Sequence, residues 1–231
     1  MYREEKASGE ACLPAIDGFA QPTHDEAARQ GYVAQMRKVI MTDMAQEMRA
    51  VYDGTVEPSV KAKTGDAPGD AIAVRKAMEP NSFYRFWSSM RFNAQEMVWG
   101  SVLDEVEREL PKMIEVAEQA AKVSPAGGTL RLNPDLAIPK AVSSLDIHLM
   151  PGCFHTEFVK NDIAVGAIYA RGTKVFSGGL RKTKNPGKGG VADSIAHYLR
   201  IKYPNFKPKR ILDLGCTIGS NLSPFQSAFP D

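Results

Sequence analysis

The segment that most constrains the fold is residues 210–231, where a short apolar run, a glycine turn and a helical pattern follow one another. Residues 211–214 are apolar apart from one acidic residue, which is typical of a parallel strand buried on both faces. Gly215 and Gly219 bracket a tight turn, where glycine tolerates unusual dihedral angles or a ligand close to the backbone. Apolar side chains then recur at helical spacing: Leu222, Phe225 and Phe229. The segment therefore predicts a strand, a loop and a helix in succession.

This succession resembles the first β-loop-α unit of class I S-adenosylmethionine-dependent methyltransferases, whose loop usually reads acidic-x-Gly-x-Gly-x-Gly. The resemblance implies that Asp213 holds the loop and the methionine end of S-adenosylmethionine. It also implies that Gly215 and Gly219 let the loop pass close under this cofactor. Thr217 stands where the family usually has its middle glycine. The backbone amides of Cys216 and Thr217 would face the ligand, at a helix N-terminus that favours a carboxylate.

Three other interpretations of the turn compete with this resemblance, and the α/β-hydrolase one is discounted. A nicotinamide-binding loop has the spacing Gly-x-Gly-x-x-Gly, from which Gly215, Thr217 and Gly219 depart. An α/β-hydrolase elbow has Gly-x-Ser-x-Gly and needs an acid and a histidine later in the chain, but the sequence stops soon after the turn. The third alternative is a strand, turn and helix that bind no ligand.

The resemblance implies methyl transfer from S-adenosylmethionine to an O, N or C nucleophile of a small organic acceptor. Such a displacement needs mainly a nucleophile held in line with the methyl–sulfur bond, so the sequence does not name the acceptor. With one unit of the family's sheet before the sequence stops, we expect the front part of a longer enzyme. Alone, this chain is expected to be inactive and to bind the cofactor weakly or not at all. The alternative is a truncated remnant or a non-catalytic helical interaction module. A homodimer is expected by analogy.

Composition and charge exclude several classes of protein. Hydrophobic residues make up 43% and charged residues 24% of the chain, as in a soluble globular protein. The net charge of +2 does not indicate a nucleic-acid partner. No apolar stretch predicts a membrane span or a signal peptide. Cys12, Cys153 and Cys216 are widely spaced, which argues against a disulfide framework and favours a reducing cytoplasm.

The first quarter of the chain predicts one long helix after an irregular leader over residues 1–22. Thr23 and Glu26 have the spacing of a capping box, which predicts a helix start. An apolar stripe at three- and four-residue steps then predicts an amphipathic helix that ends at Gly54. Residues 57–70 are rich in Pro, Gly, Lys and Asp and predict a loop.

Two further helices are predicted after this loop, one over about residues 82–99 and one that begins at Ser101. Pro111 should kink or divide the second of these, because proline removes a backbone donor. Its acidic residues, including Glu105, are expected on the solvated face. The helix predicted over residues 82–99 is rich in aromatic residues. We expect these to form the core of a helical N-terminal region over residues 23–144, or alternatively to line a pocket for the acceptor.

From about residue 145 the sequence pattern changes from helical spacing to short apolar runs. Residues 163–169 and 174–177 predict two strands joined by a turn over residues 170–173. This β hairpin, with the basic glycine-rich connector after it, forms a predicted element over residues 145–189.

The remaining residues, 190–231, combine a helix predicted over residues 191–203 with the glycine-turn unit. With the resemblance, the predicted fold class is α/β. It consists of a helical N-terminal region, a small β hairpin element and the first β-loop-α unit of an incomplete Rossmann-like sheet.

A cluster of histidine, cysteine and acidic residues falls within twelve positions: Asp146, His148, Cys153, His155 and Glu157. Such residues can bind zinc, but their spacing does not match a standard finger, and no metal is expected. His155 or His148 is instead the candidate general base for an acceptor hydroxyl or amine, because imidazole accepts protons near neutral pH. An Asp-x-His-x-Met-Pro-Gly segment over residues 146–152, followed by a Gly-Ala-x-Tyr strand over residues 166–169, also resembles one that precedes the cofactor domain in some bacterial methyltransferases. This resemblance would place the segment at the lid of the active site. The alternative is a turn with hydrogen-bonded histidines and no catalytic role.

Overall fold

The computed structural model describes residues 21–122, 131, 133, 135–178 and 190–230. Within these ranges the regular structure is helical and no strand is present. The helices are α1 (His24–Met41), α2 (Asp43–Val51), α3 (Glu57–Thr64), α4 (Ala71–Met78), α5 (Ser82–Lys122), α6 (Lys140–Ser143), α7 (Ala164–Phe176), α8 (Val191–Lys202) and α9 (Leu222–Ala228). Most of the expected leader and of the basic connector lies outside the described residues.

The start of α1 is the predicted capping box, which is confirmed. The backbone N–H of Glu26 donates to Thr23 Oγ1 (3.3 Å), and the backbone N–H of Thr23 donates to Glu26 Oε2 (2.7 Å). The predicted helix end at Gly54 is wrong, because Gly54 lies in a π-helical turn, Tyr52–Val56, that leads directly into α3. The predicted loop over residues 57–70 is therefore partly helical. Its helix ends at Gly65, which adopts the left-handed conformation (φ 88°) that helix C-terminal caps favour.

The two helices predicted over residues 82–122 are one continuous helix, α5, and Pro111 does not end it. Val98, Val102 and Val106 recur every four residues on α5 and are fully buried. Packing of this stripe against α1 and α7 stabilises the helix, while Pro111 lies on its exposed side. The loss of one backbone hydrogen bond at a proline is therefore outweighed by tertiary contacts.

The predicted β hairpin is wrong, because both expected strands belong to helix α7. The buried residues of α7 include Ala164, Ala167, Ile168 and Val175, which follow the 3.6-residue period of a helix. Small residues let α7 lie close to α5. At Gly172 an added Cβ would come within 3.0 Å of the Trp99 ring, closer than real Cβ atoms come.

The predicted strand over residues 211–214 is also wrong, since this segment is coil and turn. Ile211, Leu212 and Leu214 are 49%, 80% and 82% exposed. A strand forms when a neighbouring strand pairs with its backbone groups, and the described part of the chain offers no such neighbour. The α/β fold class is therefore overturned in favour of a mostly helical fold. The helices predicted on either side of this segment are confirmed as α8 and α9.

The core lies where α1, α5 and α7 meet. Its buried members are Val33, Val98, Trp99, Val102, Val106, Met113, Met150, Ala164, Ala167, Ile168 and Val175. They come from both sides of the predicted boundary between residues 144 and 145, and the predicted division into domains stays a prediction. None of the described helices combines the length and apolar content needed to cross a membrane.

Glu105 lies in this core and is fully buried, so the expectation of a solvated side chain is wrong. The Nε atom of Arg171 on α7 lies 2.7 Å from Glu105 Oε1, and Gln30 Nε2 on α1 donates to Glu105 Oε2 (2.9 Å). Glu105 therefore connects all three core helices through an ion pair and a hydrogen bond.

Candidate functional site

The two candidate histidines and the glycine turn meet at one cleft of about 590 Å³. One wall is the segment between α6 and α7 together with the first turns of α7: His148, Phe154, His155, Thr156, Glu157, Asp162, Val165, Gly166 and Tyr169. The rest of the lining is part of the glycine turn: Gly215, Thr217 and Ile218. The volume of the cleft lies within the range of about 300–1,000 Å³ that is usual for small-molecule sites.

His148 is held at the cleft by its backbone. Its carbonyl oxygen accepts hydrogen bonds from Trp99 Nε1 (2.9 Å) and Gln95 Nε2 (3.3 Å), both on α5. The residue adopts a left-handed conformation (φ 62°), which is uncommon for a side chain other than glycine. Met150, two residues later, is fully buried in the core and anchors the segment. The core helices thus determine the position of His148.

His155 follows His148 by seven residues and belongs to the same wall of the cleft. Its Nε2 atom is buried, and no group in the described part of the chain forms a hydrogen bond with it. The preceding turn contains Pro151 and Gly152, and in it the backbone N–H of Cys153 donates to the Met150 carbonyl (2.9 Å). The alternative interpretation, a turn with hydrogen-bonded histidines, therefore does not hold for the Nε2 atom of His155.

The glycine turn has a distinctive backbone. Gly215, Thr217 and Gly219 all have positive φ angles, of 70°, 51° and 72°. These are the three alternating positions at which the resembled loop usually carries glycine. Threonine in this conformation is an outlier, because a β-branched side chain is strained there. The backbone N–H of Gly219 closes the turn by donating to the Cys216 carbonyl (2.8 Å).

Three of the predicted cofactor-binding residues lie outside the cleft lining. Asp213 is half-buried, and its Oδ2 atom is buried without a hydrogen-bond partner among the described residues. Cys216 is exposed, and Gly219 lies at the far end of the turn. The structure therefore brings Gly215 and Thr217, but not the whole predicted set, to the two histidines.

The charges at the cleft are negative. Asp162 uses its side chain to begin α7, since Oδ1 accepts from the backbone N–H of Ala164 (2.7 Å) and Oδ2 from that of Phe158 (2.9 Å). Glu157 is exposed. The described residues that line the cleft include no lysine or arginine. Within the described ranges, no three His, Cys, Asp or Glu side chains converge as a metal site requires.

The sequence placed Tyr169 at the lid only through a resemblance, and it did not predict how the aromatic residues of the site pack. Phe154 packs at steep angles against His148 (ring centroids 6.1 Å apart) and Tyr169 (5.9 Å). Tyr169 stacks on Trp99, with centroids 6.3 Å apart and planes inclined by 19°. Assigning Tyr169 to a strand concealed this arrangement. The helical spacing of Val165 and Tyr169 was the available signal.

No protein-family model matches the chain, and no curated protein or solved structure is significantly similar to it. The function is therefore argued from the geometry and chemistry of the cleft.

Proposed function

We propose that this chain takes part in S-adenosylmethionine-dependent methyl transfer to a small organic acceptor at this cleft. The observation that carries the proposal is the backbone of the glycine turn. Positive φ angles at Gly215, Thr217 and Gly219 fall at the alternating positions of the resembled loop, and two of these residues line the same cleft as both candidate histidines.

The residues present fit such a ligand. A Cβ atom added at Gly215 would meet nothing within 4 Å, so the space beside this glycine is open to a bound molecule. Asp213 lies outside the cleft lining, so the proposed contacts of the turn with the ligand come from Gly215 and Thr217. When bound, S-adenosylmethionine supplies an electrophilic methyl group on a positively charged sulfur.

The protein contributes positioning and proton transfer. Methyl displacement depends on holding the acceptor in line, which is a task for the walls of the cleft. An acceptor hydroxyl or amine must also lose a proton. We assign this proton to His155, whose buried Nε2 atom has no hydrogen-bond partner among the described residues, with His148 as the alternative base.

An NMR titration of ¹⁵N-labelled protein with S-adenosylmethionine tests the proposal. We expect weak, saturable shifts at Gly215, Thr217 and His155, because the turn is exposed and would bury little of the ligand. Gly215→Val should abolish these shifts. The matched control is Gly65→Val, since Gly65 also has a positive φ (88°) but lies outside the cleft lining. Absence of shifts, or equal shifts in both variants, would refute cofactor binding here.

A non-catalytic interaction module is the second candidate, and one observation favours it. The segment between α8 and α9 exposes large apolar side chains, including Leu212 and Leu214, and α8 exposes Ile201 (68%). Exposed apolar surface of this kind often marks a contact with another protein. Light scattering of the full chain and of the Leu212→Glu, Leu214→Glu double variant would show whether this surface forms the expected homodimer.

A further inference from the structure

The charge of the cleft differs from that of the chain. The protein has 29 Lys and Arg residues against 27 Asp and Glu residues, yet the described cleft lining contains Glu157 and Asp162 and no lysine or arginine. Both oxygens of Asp162 accept backbone hydrogen bonds, whereas Glu157 is exposed at the rim. A negative cleft attracts cations and repels carboxylates and phosphates.

Aromatic rings supply a second attraction for a cation. Phe154 is 44% exposed and is inclined to His148 by 84° and to Tyr169 by 60°, so these rings do not stack face to face on one another. An ammonium group over the face of an aromatic ring is stabilised by about 0.5–2 kcal/mol. The same rings offer apolar contact to the body of a ligand.

The third observation is the buried Nε2 atom of His155. Leaving a buried polar atom without a hydrogen bond costs about 1–3 kcal/mol. His155 lines the cleft, so a ligand N–H group that reaches this nitrogen from the cleft would satisfy it and transfer its proton to it.

Together these observations identify an acceptor class, an inference that rests on the proposed function. We propose that the acceptor is a small primary amine with an aromatic or apolar body, bound as an ammonium ion near Glu157 and Phe154. The ammonium group gives one proton to His155 Nε2, which leaves a neutral amine with a lone pair. This lone pair forms a bond to the methyl carbon while the carbon–sulfur bond breaks and its electrons stay on sulfur. The products are an N-methylammonium ion and S-adenosylhomocysteine.

Three probes with the same phenyl body test the inference by NMR titration of the full chain: phenethylamine, 2-phenylethanol and 3-phenylpropionate. We expect phenethylamine to shift the signals of Phe154, His155 and Tyr169. The alcohol should bind several-fold more weakly and the carboxylate should not bind. Glu157→Gln should weaken amine binding by about threefold to tenfold, a change that corresponds to about 0.7–1.4 kcal/mol. The matched control is Glu107→Gln, which removes an exposed carboxylate of α5 outside the cleft lining.

The outcomes separate this inference from the proposed function. Equal binding of all three probes, or equal losses in the two glutamate variants, overturns the amine assignment. Binding of S-adenosylmethionine without binding of phenethylamine overturns the amine assignment alone. Amine-selective binding that depends on Glu157, without any response to S-adenosylmethionine, supports the amine site and refutes methyl transfer.

Discussion

Substitution of Gly172 by alanine tests the contact between α5 and α7 that supports the candidate site. Gly172 lies opposite the ring of Trp99, and an added Cβ would come within 3.0 Å of two ring carbons. The ring has little freedom to move, because it stacks on Tyr169 and its Nε1 donates to the His148 carbonyl. The methyl group must therefore push the two helices apart or break the hydrogen bond to His148.

The expected magnitude follows from two opposing effects. Overpacking of a tight core costs about 1–3 kcal/mol of stability. Because the Trp99 ring is held rigidly, we expect the cost at Gly172 to be about 3 kcal/mol, at the upper end of this range. Alanine regains about 1 kcal/mol over glycine inside a helix. The net loss in the free energy of unfolding is thus about 2 kcal/mol. Gly100→Ala is the matched control on the facing helix, because a Cβ there meets nothing within 4 Å. It should stabilise the protein by about 0.5–1 kcal/mol.

Urea unfolding followed by circular dichroism measures both variants. In thermal unfolding, Gly172→Ala should lower Tm by about 4–8 °C and Gly100→Ala should raise it by about 1–4 °C, since 1 kcal/mol shifts Tm by about 2–4 °C at this size. The His148 amide resonance should also move in Gly172→Ala. If Gly172→Ala stabilises the protein as much as Gly100→Ala does, the close packing of α7 on Trp99 is refuted.

Three further predictions concern the turn, the core and the pH dependence of stability. Thr217→Gly should raise the free energy of unfolding by about 0.5–1 kcal/mol, because it relieves a β-branched residue at φ 51°; a loss in urea unfolding would contradict this. Glu105→Ala should lower the free energy of unfolding by about 3–5 kcal/mol, because it leaves Arg171, whose side chain is only 11% exposed, without its ion-pair partner; a loss under 1 kcal/mol by the same assay would show that the pair is solvated. The hydrogen bond from the Arg108 side chain lowers the pKa of Glu26 from 4.5 to about 2. The stability that Glu26 contributes is therefore fully present above pH 4.5 and is lost as the pH falls towards 2. Because Arg108 is 38% exposed, we expect this contribution of Glu26 to the free energy of unfolding to be about 1–2 kcal/mol. It is measured as the stability that the protein loses on acidification and that the Glu26→Gln variant does not lose.

Some of the structure could be predicted from the sequence because it depends on residues close together in the chain. The capping box of Thr23 and Glu26 spans one helical turn, and α8 and α9 follow local apolar spacing. The turn at Gly215 and Gly219 was likewise predicted, since glycine favours the positive φ angles observed there. The candidate histidines follow from a local cluster of residue types within twelve positions, whereas the cleft that joins them to the turn depends on the packing of distant segments.

The tertiary structure decided the features that depend on distant neighbours. The apolar residues of α7 are compatible with strand or helix, and the close fit of Gly172 against Trp99 belongs to the helix. Glu105 has the local pattern of a surface residue, but Arg171 and Gln30 lie opposite it in the core. The apolar run over residues 211–214 has the composition of a strand but no partner strand among the described residues. Short-range spacing determines a helix cap or a glycine turn, whereas strand pairing and burial of a charge are decided by groups that are far away in the chain.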